Sequence, residues 1–309
     1  MKPIREAKRG MRRTITVAAI AASLIASACT SDQPPPPEDA GAEESAAVAS
    51  ARSTGQAPFD FAAPAASMPL DPELKEISDL TVLPDGNIAA VQDENGMLYV
   101  LDENSGAIQQ KIQFEEGADF EGVELAGDRM FALQSNGTIL EIENWQSGNP
   151  QVRTYETHLK SKNDTESIGY DAAHNRLLIG TKEDPGQDID NDLKGFYAFD
   201  LSTNTLSDKP VFTINENDVE GQLSGDDKFK PSALAVQPST GNIYVLSSVA
   251  KVIVAVDPSG AIRHVWPLSE DLFEQPEGLA FLPGGDLLIS SEGVDGPAML
   301  YRIKRVAGS

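Results

Sequence analysis

Glu121 and Glu277 stand in one setting, "DFEGVEL" at 119–125 and "QPEGLAF" at 275–281, and Glu166 holds an equivalent place in "TESIGYD" at 165–171. Each is a carboxylate at the start of an alternating apolar run. Carboxylates gathered at the ends of buried strands repel one another, and loss of hydration adds to the cost. A hard cation relieves both, and Ca²⁺ accepts six to eight oxygen ligands in loose geometry. The expectation is a Ca²⁺ site with Glu121, Glu166 and Glu277 as ligands and Gln92 and Gln134 as oxygen donors or supports. The alternative is that each Glu accepts backbone N–H bonds from a neighbouring strand beside a water-filled channel.

These carboxylates need elements to hold them. Five segments align on them: "ISDLTVLPDGNIAAVQ" (77–92), "FEGVELAGDRMFALQ" (120–134), "TESIGYDAAHNRLLIGT" (165–181), "PSALAVQPSTGNIYVLS" (231–247) and "PEGLAFLPGGDLLISS" (276–291). Each reads as a strand, a turn rich in Gly, Asp, Asn and Pro, and a second strand. A third strand follows every one ("MLYVLD", "TILEIE", "FYAFDL", "VIVAVD", "MLYRI"), and four carry a fourth ("AIQQKIQF", "QVRTYETHL", "PVFTIN", "AIRHVWPL"). Four antiparallel strands repeated at this spacing predict an all-β, five-bladed propeller over 57–305. After Ile303 no sequence remains for a fourth strand, so "FDFAAPAASMPL" (59–70) is expected to complete the last blade and close the ring.

The first strands open on Ser78, Glu121, Glu166, Ser232 and Glu277, and the second strands return to Gln92, Gln134, Thr181, Ser247 and Ser291. Alternation puts Glu121 on the face of Val123 and Leu125, while small residues (Gly122, Ser167, Ala233, Gly278) face the next blade. Ten polar residues then ring one mouth of the central channel. Successive openings lie 43 to 45 residues apart, except that Glu166 to Ser232 spans 66. The excess lies in "EDPGQDIDND" (183–192) and "NENDVEGQLSGDDKF" (215–229), expected as long loops of the third blade. The first lacks the glycine of an EF-hand loop, with Leu193 in its place, and reads as a solvated acidic loop.

Ahead of the repeats, residues 1–28 combine a basic start ending in "RR" with the apolar run "TITVAAIAASLIASA", too short for a comfortable membrane span. The run ends in "ASAC" at Cys29, the single cysteine of the chain. This resembles the lipobox of bacterial lipoproteins, so Cys29 is the expected acylation site, and several acyl chains make a stable anchor. Thr30 after the cysteine resembles outer-membrane sorting. Residues 29–56, Pro-, Ala-, Ser- and Glu-rich without an aromatic residue, read as a disordered tether. The expected protein is a monomer in the bacterial cell envelope, lipid-anchored to an outer or plasma membrane with its propeller outside the cytoplasm. A net charge of −24 excludes nucleic acid, which needs a basic patch.

The "DFEGVEL" opening, "QSNGTILEI", "ESIGYDAAHNRLLIGTKE", "KPSALAVQPSTGNIYVLSS" and "QPEGLAFLPGGDLLISSEG" together resemble the SdiA-regulated, YjiK-like family over about 75–303. The resemblance implies a membrane-anchored five-bladed propeller, distantly related to NHL-repeat proteins, with a calcium site. It implies no ligand list and no established molecular function. The sequence holds neither G-x-S-x-G nor H-E-x-x-H. His174 falls in a hairpin turn, His264 in an outer strand, and only His158 lies in reach of a channel mouth. The expected role is a binding or scaffolding module for an envelope protein or a small molecule. The alternative is a calcium-dependent lactonase or esterase, from a distant similarity to gluconolactonase- and paraoxonase-like propellers, with Ca²⁺ polarising a carbonyl or activating water.

Overall fold

Alternating apolar residues and turn chemistry build the blades one hairpin at a time. The computed structural model describes residues 58–306. The signal segment 1–28, Cys29 and the tether 29–56 lie outside the described residues. In the first blade β2 (Ile77–Val82), β3 (Ile88–Gln92), β4 (Met97–Leu101) and β5 (Ile108–Gln113) pair in order, all antiparallel. Its first turn closes through Leu83 N–H donating to Asn87 O at 2.8 Å, with Gly86 at φ 92°, which L side chains rarely adopt. The second blade repeats the pattern with β6 (Phe120–Ala126), β7 (Arg129–Gln134), β8 (Ile139–Glu143) and β9 (Gln151–Tyr155). The fourth does so with β15 (Pro231–Val236), β16 (Ile243–Ser247), β17 (Val252–Val256) and β18 (Ile262–Pro267).

The third blade departs from the pattern. Its strands β10 (Thr165–Asp171), β11 (Arg176–Thr181) and β12 (Leu193–Asp200) are regular, but its outer strand comes in two pieces. Both β13 (Thr205–Leu206) and β14 (Phe212–Asn215) pair with β12, and a short helix α1 (Glu216–Glu220) occupies the second insertion.

The fifth blade closes the ring as expected. β1 (Ala66–Pro69) pairs antiparallel with β21 (Met299–Ile303), which continues through β20 (Leu287–Ser291) to β19 (Pro276–Phe281). The strand is shorter than the 59–70 segment that supplies it. Phe59 instead makes an isolated bridge to Arg305, and it packs with Phe61, Tyr244 and Phe281 in the core between the fourth and fifth blades. The chain ends therefore contribute both a ladder and core aromatics.

The first strand of each blade packs against that of the next around the ring. The approach is close enough that Gly169 must lack a side chain: a Cβ there would lie 2.3 Å from Leu234 Cδ1 and 2.9 Å from the Leu234 carbonyl oxygen. Gly122 meets Ile168 of the next blade in the same way. Among the described residues no helix is long and apolar enough to cross a membrane.

Candidate functional site

Every first strand carries the same irregularity at the same place. Ile77, Phe120, Thr165, Pro231 and Pro276 pair with Gln92, Gln134, Thr181, Ser247 and Ser291 respectively, and the next paired residue is two further on. The skipped residues are Ser78, Glu121, Glu166, Ser232 and Glu277. Each therefore sits in a β-bulge, which frees a side chain from the ladder and re-aims it. The bulge corrects the expected alternation: Val123 is buried in the core, but Glu121 does not continue its face and stays half-buried at the mouth. Ser78, Glu166 and Ser232 are buried.

Beyond the bulge the hairpins run one step further, and this step holds residues that the sequence alignment left out. Backbone N–H groups of Asp93, Ser135, Lys182 and Glu292 donate to the carbonyls of Glu76, Asp119, Asp164 and Gln275. A second polar ring thus encircles the mouth. Its signal was present in the sequence, since the residues two before the bulge (Glu76, Asp119, Asp164, Lys230, Gln275) and one after the second strand (Asp93, Ser135, Lys182, Ser248, Glu292) are polar in all five blades.

Lys182 is the electrostatic centre of this ring. Its ammonium pairs with Glu166, both side chains being largely buried. Loss of hydration opposes its charge, yet Glu166, Glu277 and Asp164 together raise its pKa. The carboxylates are less well compensated. Burial first, then Glu166 and Asp119, push Glu121 up to about 9. Glu166 is raised to about 8 by burial and by Glu277, against the pull of Lys182. Glu292 likewise rises to about 8 through burial, Glu277, Asp93 and Glu76. Burial also raises Glu277, eased by Ser248, Lys182, Gln275 and Ser232.

The five residues expected to bind Ca²⁺ lie on this mouth but are not equivalent. Gln92 Oε1 accepts from the N–H groups of Glu94 at 3.2 Å and Asn95 at 3.0 Å, so it caps its own loop. Gln134 lies half-buried at its hairpin end. Buried Ser78 Oγ, Asp93 Oδ1 and Asn95 Oδ1, all in the first blade, have no hydrogen-bond partner. An all-oxygen donor set with orphaned acceptors has the chemistry a hard cation requires. Among the described residues no group of three His, Cys, Asp or Glu is gathered as a set of metal ligands. In this arrangement the Lys182 ammonium supplies the positive charge.

Two further carboxylates, absent from the sequence expectation, tie blades together below the mouth. Asp79 Oδ2 accepts from Val123 N–H of the next blade at 3.0 Å. Glu124 accepts from Thr81 Oγ1 at 2.6 Å on one side and from Tyr170 N–H at 2.9 Å on the other. Burial raises both pKa values, while these hydrogen bonds hold them down. Carboxylates do bond the neighbouring blade's backbone here, at positions one and three residues beyond the bulge.

The two insertions of the third blade flank the mouth and contribute to a polar cavity of about 470 Å³ with Lys162, Lys194, Lys228 and Lys230 in its wall. Each lysine is held by a carboxylate, respectively Asp184, Glu216, Glu220 and Glu183. The histidines take structural places. His158 packs edge-on to Tyr197, His174 Nδ1 bonds Asp171 at 2.7 Å, and His264 stacks on Trp266.

Fold and mouth together define a five-bladed propeller with an acid-rich channel entrance. The chain matches the SdiA-regulated family over residues 60–304 and belongs to it. No curated protein matches it in sequence. Among solved structures it is similar to the glutaminyl cyclase of Myxococcus xanthus, at 15% identity and a TM-score of 0.54, covering 78% of this chain and 95% of that one. It is also similar to a protein of unknown function from Bacteroides thetaiotaomicron, at 14% identity and a TM-score of 0.50, covering 80% of this chain and 60% of that one. At these identities the likeness is one of fold alone.

Proposed function

We propose that the chain is a binding module, tethered to a membrane of the bacterial envelope through Cys29, whose channel mouth takes a positively charged ligand. One observation carries the reading: Glu121, Glu166, Glu277 and Glu292 crowd a poorly hydrated mouth where Lys182 is the base that couples to all four. A cation entering that mouth takes the place of the protons these carboxyls retain, releasing them as it binds and gaining the ionised oxygens as partners. Ca²⁺ is the first candidate, because the donors are oxygens. It would have to compete with the Lys182 ammonium for Glu166.

That competition is the test. Binding to the folded state alone raises stability by about 2.7 kcal/mol at one hundred times the dissociation constant. Added Ca²⁺ should therefore raise the melting temperature of chelator-treated protein. Glu121→Gln, Glu166→Gln and Glu277→Gln should each erase much of the rise, and Lys182→Met should tighten binding. Identical melting with chelator and with millimolar Ca²⁺ rules out the metal, and an alkylammonium titration then decides whether an organic cation takes the site. The tether is tested separately: Cys29→Ala should release the protein from the membrane fraction or leave it unprocessed, and unchanged fractionation refutes the anchor.

A second reading, hydrolysis, is favoured by the raised Glu121 and Glu166, which keep protons near neutral pH and can serve as general acids. A panel of lactones and esters assayed with and without Ca²⁺ separates the two. Turnover lost in Glu121→Gln would establish the enzyme, and its absence across the panel leaves the binding module.

A further inference from the structure

The face opposite the mouth carries a second concavity, of different chemistry. It is a cavity of about 360 Å³ between the first and second blades, where the β2–β3 turn, β5 and the segment after β8 meet. Its apolar lining comes from Pro84 and from Leu83, Val100 and Trp145, the last three buried members of the core between these blades. Polar groups of one kind, side-chain amides, complete the lining: Gln109, Gln110, Gln146 and Asn87. Asp85 is the single charged residue in the wall, and its carboxylate is engaged by Asn87, through the backbone N–H at 3.0 Å and Nδ2 at 2.9 Å.

Two local irregularities build this wall. Gln110 pairs with Val100, but Ile108 pairs with Leu101, so Gln109 is an extra residue in a bulge. Regular alternation would send Gln109 and Gln110 to opposite faces, and the bulge lets both line the cavity. Across from them, Asn144 adopts a left-handed conformation at φ 56° and starts the short 3₁₀ turn Trp145–Ser147. That turn sinks Trp145 into the core while Gln146 stays exposed. Among the described residues no side chain or backbone group bonds the amides of Gln110 or Gln146, so both retain donors and an acceptor for a ligand.

An apolar base edged by uncommitted amides suits a molecule with apolar faces and a belt of hydroxyls. Each amide can donate to one hydroxyl and accept from its neighbour, and pockets of this composition use a few such groups to fix orientation. Anions find no counter-charge here, on a protein whose net charge is −24, and the one carboxylate, Asp85, is already engaged by Asn87. We propose that this cavity is a binding site for a neutral sugar, a segment of an uncharged oligosaccharide. It is independent of the cation reading of the mouth.

The test titrates the full chain with cellotetraose, maltotetraose and chitotetraose, followed by calorimetry and indole emission, with an anionic alginate tetramer as the charged control. A Trp266→Phe background leaves Trp145 to report alone. Saturable binding of at least one neutral tetramer, with none of the alginate, is expected. Gln110→Ala and Gln146→Ala should each weaken it roughly 2- to 10-fold, the worth of one hydrogen bond, without moving the melting temperature. Trp145→Phe would lose packing as well, which is why the exposed glutamines carry the decision. No heat and no emission change with any neutral tetramer up to about 10 mM, weaker than any useful affinity, overturns the proposal. So does binding that the glutamine variants leave unchanged, or that Glu121→Gln removes instead.

Discussion

At the mouth, single side chains are held against their solution chemistry. Glu121, Glu166 and Glu292 keep their protons to about 9, 8 and 8 in the fold, whereas the unfolded chain releases them near the ordinary glutamate value of 4.5. Between those values the folded state binds more protons than the unfolded one, so stability must fall as pH rises. The contribution is complete below about 4.5 and is lost as pH passes 8 to 9. In chelator, the melting temperature should drop between pH 5 and pH 9, on the order of 5 °C for a domain of this size. Glu121→Gln, which carries no titrating proton, should flatten that slope. A melting temperature that rises across this interval would mean that the mouth carboxylates are ionised and compensated in the fold.

At the scale of strands, the bulge is the device that separates function from packing. Residues just past it serve the ring: Gly169 lets β15 approach, and Glu124 links β2, β6 and β10 through Thr81 and Tyr170. Glu124→Ala would leave the Tyr170 N–H and the Thr81 hydroxyl without their acceptor, at about 1–3 kcal/mol for each group that stays dry. Gly169→Ala forces the Leu234 side chain and backbone aside, a cost of roughly 1–3 kcal/mol. Denaturant unfolding should register both as a lower midpoint with an unchanged slope. Neither should alter cation binding, since both lie on the blade contacts rather than the mouth. The hairpins, turns and third strands were legible because period-two alternation and Gly-Asp-Asn turns are local. The bulges were not, because a single extra residue changes the pairing without changing the composition.

For the molecule as a whole, closure decides stability. β1 joins the first described residues to the last blade, and Phe59, Phe61, Met68 and Leu70 are all buried with it. Each such side chain is worth roughly 1.5–3 kcal/mol when buried. Deleting 30–56 should leave thermal unfolding unchanged, whereas deleting 30–70 should lower the melting temperature by on the order of 15 °C or abolish the cooperative transition. Equal melting of the two truncations would show that the ring closes without its N-terminal strand.

The sequence by itself determined the blade number and the order of strands, because both rest on patterns that repeat every 43 to 66 residues, and the N-terminal closure, because the last repeat is one strand short. It also determined that Glu121, Glu166 and Glu277 stand at one mouth. Only the tertiary structure decided what surrounds them. Lys182 lies 16 residues from Glu166 along the chain, and nothing local marks it as the ammonium that would pair there. The partners of Asp79 and Glu124 are 44 and 46 residues away, on neighbouring blades. Pairing across blades depends on how far one sheet is rotated against the next, and the compromise between charge, hydration and packing is struck only when all five sheets are in place.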